Sequence, residues 1–78
     1  MKIETKRNVN EDVYVIQLVE KKWKIVGFNT IQCIKISAAM YSIFIKYLLL
    51  QSQILVDEEN CFATKEDAQQ ECDRRNNG

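Results

Sequence analysis

The chain has 78 residues, 46% of them apolar, and a formal net charge of zero, with no histidine. That is the size of one domain, too apolar for a disordered chain, and small enough to bury only about 60–65% of the surface it exposes when unfolded. Without histidine it lacks the commonest general base and the usual partner of a serine or cysteine nucleophile, so no enzyme is expected.

Along the chain, residues 1–11 are polar and mixed in charge and read as a flexible arm, with a short pairing segment at 2–5. Residues 12–19 form the first expected strand: Val13, Tyr14, Val15, Ile16 and Leu18 are β-branched, aromatic or aliphatic, and only Gln17 breaks the run. Both faces are apolar, which places this strand centrally. Glu20, Lys21 and Lys22 make a short polar turn. Trp23 and Ile25 then share one face, with Lys24 on the other. Gly27, Phe28, Asn29 and Thr30 are a turn or a kink, where Gly27 serves a bulge or a positive φ. Apolar parity slips between Cys33 and Ile34, and a period of two slips only through a bulge or bend. Residues 37–40 read as a loop.

Residues 41–56 alternate as a strand but also carry a helical stripe through Met40, Ile43, Phe44, Tyr47, Leu50 and Ile54. Their β-branched and aromatic content favours a hairpin, with a strand at 41–49, a turn near Gln51, Ser52 and Gln53, and a strand at 54–57. Lys46, Gln51, Ser52 and Gln53 interrupt the run well short of the roughly 20 apolar residues a membrane span needs, so no membrane partner is expected. Tyr14, Tyr41 and Tyr47 sit at strand spacing and read as core residues or cross-strand pairs. Asp57, Glu58, Glu59 and Asn60 form an acidic turn. Thr64 is the expected N-cap of a helix over 64–76, with Asp67 three residues on, Glu66 and Asp67 at its positive end, and Arg74 and Arg75 at its negative end. Ala68, Cys72 and Arg75 make its narrow inward stripe, and Phe62 anchors the lead-in.

Charge is segregated. Residues 1–56 carry eight cations (Lys2, Lys6, Arg7, Lys21, Lys22, Lys24, Lys35, Lys46) against Glu4, Glu11, Asp12 and Glu20. Residues 57–78 carry seven acids (Asp57, Glu58, Glu59, Glu66, Asp67, Glu71, Asp73) against Lys65, Arg74 and Arg75. Such a dipolar surface orients a charged partner. Cys33, Cys61 and Cys72 are an odd set with no CxxC spacing and no fourth zinc donor, so no metal or other cofactor is expected. A Cys61–Cys72 bridge is argued against by the reduced compartment that the lack of an apolar leader implies. No glycine-rich loop cradles phosphate, and the carboxylates lack the spacing of a dedicated cation loop.

Two patterns can bind. The acids Asp57, Glu58, Glu59 and Glu66 suit a basic protein partner. Lys21, Lys22, Trp23 and Lys24 combine cations with a ring, the minimal pattern for nucleic acid. The apolar run Ile43, Phe44, Ile45, Leu48, Leu49 and Leu50 exceeds what one face of a thin sheet hides, so a homodimer is a further expectation.

The block Cys61-Phe62-Ala63-Thr64-Lys65-Glu66-Asp67-Ala68, followed by Glu-Cys-Asp-Arg-Arg-Asn at 71–76, resembles the "FaTkEEA" ending of small phage and mobile-element proteins of bacteria. Val13-Tyr14-Val15-Ile16 and the Ile34-x-Ile36 strand also look like that group. The resemblance implies an α+β fold: a strongly bent antiparallel sheet or SH3-like barrel of four or five strands with one C-terminal helix. It implies no activity and carries over no functional residue. Its context makes the expected function that of a non-catalytic, protein-binding product of a phage or mobile element in the bacterial cytoplasm. One such role is inhibition of a host defence nuclease of the CRISPR-effector type. The alternative is a small nucleic-acid-binding β-barrel.

Overall fold

A computed structural model describes residues 5–78. The chain is an α+β domain: β1 (Asp12–Val19), β2 (Lys22–Ala39), β3 (Ser42–Leu49), β4 (Leu55–Asp57), a 3₁₀ turn (Glu58–Asn60), β5 (Cys61–Phe62) and α1 (Lys65–Asn77). The five strands form one antiparallel sheet in the order β4-β3-β2-β1-β5. Its two edges, β4 and β5, do not pair, so the sheet stays open.

The long strand β2 organises everything. Its first part pairs with β1 and its second with β3, and the register shifts at Val26 and again at Gln32. Each bulge adds twist and bends the strand. The 27–30 stretch is therefore not a turn; β2 runs through it. Gly27 serves the bulge beside it and has no positive φ. The parity slip expected at Cys33 lies one residue earlier, at Gln32. The loop expected at 37–40 shrinks to Met40 and Tyr41, because residues 37–39 pair with 42–44. The hairpin reading of 41–56 holds, with β3 beginning at Ser42 and β4 at Leu55.

The bend creates two cores. Inside it, Val13, Val15, Ile31, Tyr47, Leu49 and Cys61 are buried together. On the opposite face, Ile16 packs with Ala68 and Cys72 of α1, supported by Tyr14, Trp23, Ile25 and Phe62. β1 feeds both cores, as its two apolar faces require. At roughly 1.5–3 kcal/mol for each large apolar side chain buried, these clusters supply the main driving force for folding. All three cysteines are free thiols.

Residues 5–11, expected as a loose arm, are tied down. Asn10 N donates to Ile31 O at 2.8 Å and Ile31 N donates to Glu11 O at 2.9 Å, extending the ladder past β1. The pairing expected at 2–5 falls outside the described residues except for Thr5, whose hydroxyl donates to Arg7 O at 2.8 Å. β5 was not expected as a strand. It is two residues long and pairs with Tyr14 and Val15, which no local pattern announces. Tyr41 is a turn residue left 94% exposed, not a core or cross-strand member.

Two local devices have measurable consequences. Glu20 and Lys21 close the β1–β2 hairpin with φ of 51° and 70°, the left-handed region that L-residues enter at a cost. Asn at 20 and Gly at 21 are expected to raise stability by roughly 1 kcal/mol, read as a higher denaturation midpoint. Thr64 caps α1: its Oγ1 accepts from Asp67 N at 3.1 Å. Thr64→Ala is expected to lower stability by about 0.5–2 kcal/mol. An unchanged midpoint would show that this cap contributes nothing.

Candidate functional site

The turn from β4 into the 3₁₀ segment carries Asp57, Glu58 and Glu59 to the open end of the bent sheet. There they line a depression of about 330 Å³ with Lys6, Ile43, Phe44 and Ile45. Asp57 faces Lys46 across the β3–β4 pair at 3.8 Å, an exposed ion pair of little energetic weight. Glu58 is turned inward. It accepts from the Tyr47 hydroxyl at 2.5 Å and from Lys6 N at 2.7 Å, while that hydroxyl accepts from Arg7 N at 3.1 Å. Glu58 is therefore a structural carboxylate that fastens residues 6 and 7 to β3. Asp57 and Glu59 are the acids of this turn left exposed. Glu66 sits in the first turn of α1 and is not part of this depression. The expected acidic set is thus divided: two acids face solvent, one is used internally, and one belongs to the helix start.

Burial governs the titration of the groups under this turn. It pushes the Cys61 thiol up to about 12, with Glu58 and Asp57 adding to the shift and Arg7 opposing it. Burial and the bond to Glu58 raise the Tyr47 hydroxyl well above its ordinary value. Both groups are held neutral, so neither is a poised nucleophile or base. The sign for stability follows. Below the ordinary values of 9.0 and 10.0 both groups are protonated in either state, and their contribution is fully present. As pH rises past those values the unfolded chain ionises first, and stability falls. Unfolding midpoints are expected to stay level below about pH 9 and to drop above it, with a shallower drop in Tyr47→Phe.

The second expected site is also rearranged. Trp23 and Lys24 line a shallow depression beside α1 together with Tyr14, Phe28 and Lys65. Tyr14 and Phe28 are cross-strand partners with ring centroids 4.7 Å apart. Lys21 and Lys22 are exposed at the hairpin but are not among the residues lining it. Trp23 is committed to the fold: Arg75 stacks on its ring at 4.4 Å. Asn76 Oδ1 accepts from Trp23 N at 2.7 Å, and its Nδ2 donates to Trp23 O at 3.1 Å. One ring face is therefore occupied by a guanidinium and closed to a stacking base.

The sequence reading missed Phe28 and Lys65 in this depression, and Lys6 in the first. Tyr14 and Phe28 meet only through a register that depends on the Val26 bulge. Lys65 arrives with the docking of α1, and Lys6 through the Glu58 bond.

Among the described residues no three metal-ligating side chains converge, and no helix is long and apolar enough to cross a membrane. No family model, curated protein or solved structure matches the chain.

Proposed function

We propose that this chain is a non-catalytic binding protein that acts by protein–protein contact through the turn and hairpin at the open end of its sheet. The observation that carries this is the depression joining Ile43, Phe44 and Ile45 to Asp57 and Glu59. Apolar side chains supply contact energy, and the exposed acids orient a cationic partner. In the phage or mobile-element setting that the C-terminal block suggests, the fitting partner class is a host defence nuclease of the CRISPR-effector type, met in the bacterial cytoplasm. Its phosphate-binding groove is basic, and two carboxylates beside an apolar projection can occupy such a groove. Affinity capture from bacterial lysate with the intact chain as bait tests this. A single basic partner should be retained at moderate salt; the absence of any stable partner would argue against it.

A second reading has its own observation. Tyr14, Phe28, Lys24 and Lys65 around the accessible side of Trp23 make a small aromatic and cationic platform, the composition that binds single-stranded nucleic acid. Titration with labelled single-stranded DNA and RNA at low salt tests it. Binding that weakens steeply with salt and with Lys24→Glu is expected if this platform is used, and a flat response removes it.

A further inference from the structure

We infer that the end of the β2–β3 hairpin is an interface with a second copy of this chain, formed by edge-to-edge pairing of β3 with its two-fold mate. Three observations point there. First, β4 is only three residues long and pairs with residues 46–48 of β3. Among the described residues no strand pairs with 42–45 on that side, so they leave an extended backbone edge open. Proteins usually blunt such an edge with a charge, a proline or a bulge. Residues 42–45 have no charge and no proline, and the bulge of the β2–β3 pair lies at Gln32, far from them.

Second, the hairpin is uncharged from 36 to 45, with Ser37 and Ser42 its polar residues apart from the Tyr41 hydroxyl, and Ile36, Met40, Tyr41, Ile43 and Phe44 are each 42–94% exposed. At about 200 Å² for a large side chain they present on the order of 600 Å² of apolar surface. That approaches the roughly 800 Å² per partner of a standard interface, which suits a reversible dimer better than a permanent one.

Third, residues 36–45 themselves carry no charge, so backbone pairing and apolar contact hold whatever meets them. A second copy supplies both. Antiparallel pairing is its own mirror under a two-fold axis. The chain has zero net charge, so two copies approach without long-range repulsion. Asp57 and Glu59 line the same depression as Ile43, Phe44 and Ile45, so a second copy and a foreign partner compete for this end of the sheet.

Analytical ultracentrifugation of the full chain, with hydrogen exchange of the 42–45 amides, tests the dimer. Twice the 9.2 kDa chain mass is expected at high micromolar concentration, with these amides slow in the dimer and fast on dilution. Phe44→Lys and Ile43→Lys lie on exposed positions and should each weaken the dimer by about tenfold or more. Asp57→Lys with Glu59→Lys should leave it intact, which separates this interface from capture of a foreign protein. A monomer at every concentration overturns the dimer. So does a monomer whose 42–45 amides stay slow, because the edge is then protected within a single chain. A dimer indifferent to both hairpin variants places the contact elsewhere and overturns it too.

Discussion

Replacing Tyr47 by alanine should remove a large part of the protein's stability, read as a much lower denaturation midpoint. Tyr47 is fully buried, in the centre of the core inside the bend. Removing a large ring from such a site costs about 3–5 kcal/mol. For a chain of this length the whole stability is on the order of 4–12 kcal/mol, so a single change of that size consumes much of it. The loss is not only of packing. The Tyr47 hydroxyl joins Glu58 to Arg7 N, and with Lys6 N on the same carboxylate it closes the open end of the sheet. Tyr47→Phe keeps the ring and removes that link, and should cost about 1–3 kcal/mol by leaving Glu58 and Arg7 N short of a partner. Chemical denaturation of the two variants separates the terms. Equal losses would mean that the ring contributes nothing beyond its hydroxyl.

Arg75→Ala should be the most damaging change on the helix. Its guanidinium stacks on Trp23 at 4.4 Å and bonds Glu71 at 2.6 Å, Asn60 Oδ1 at 2.8 Å and Glu59 O at 3.2 Å. One side chain thus ties α1 to the start of β2 and to the 3₁₀ turn. A cation on an aromatic face contributes about 0.5–2 kcal/mol and charge-assisted bonds add to it, so a loss of roughly 2–3 kcal/mol is expected. Arg75→Lys keeps the charge but not the planar fork, and should recover less than half. Trp23 fluorescence reports the same event, because its ring becomes solvated. The acid limb carries a related signature. Bonds from Arg74 and Arg75 hold the Glu71 carboxyl down at about 2. Its contribution is present above the ordinary value of 4.5 and is lost as pH falls toward 2. Arg75→Ala should make the acid transition of the protein less steep.

What the sequence made legible was local. The β-branched and aromatic run of 12–19, the polar hairpin turn, the Thr64 cap and the Ala68 and Cys72 stripe each depend on neighbours within a few residues, and all are in the structure. The parity slip announced a bulge, and the bulge is one residue away at Gln32. What was not legible depends on partners far along the chain. β5 is a strand only because Tyr14 and Val15 offer it an edge. The arm at 5–11 is ordered by Glu58, Tyr47 and Ile31, none of which can be read from its own composition. Glu58 looked like one more exposed acid, and only the approach of Tyr47 turns it inward. Trp23 looked free to stack, and Arg75, 52 residues later in the sequence, covers it.

Protein binding through the acidic turn is tested most directly by charge reversal at two places in one experiment. The wild-type chain, Asp57→Lys with Glu59→Lys, and Lys24→Glu with Lys65→Glu serve as parallel baits in nuclease-treated bacterial lysate, read by quantitative mass spectrometry. All these positions are exposed, so each bait should fold. Retention of one basic protein by the wild type and by the lysine variant, with at least about a tenfold loss in the Asp57 and Glu59 variant, is the expected result. Equal retention by all three baits, or loss only when Lys24 and Lys65 are reversed, would contradict it.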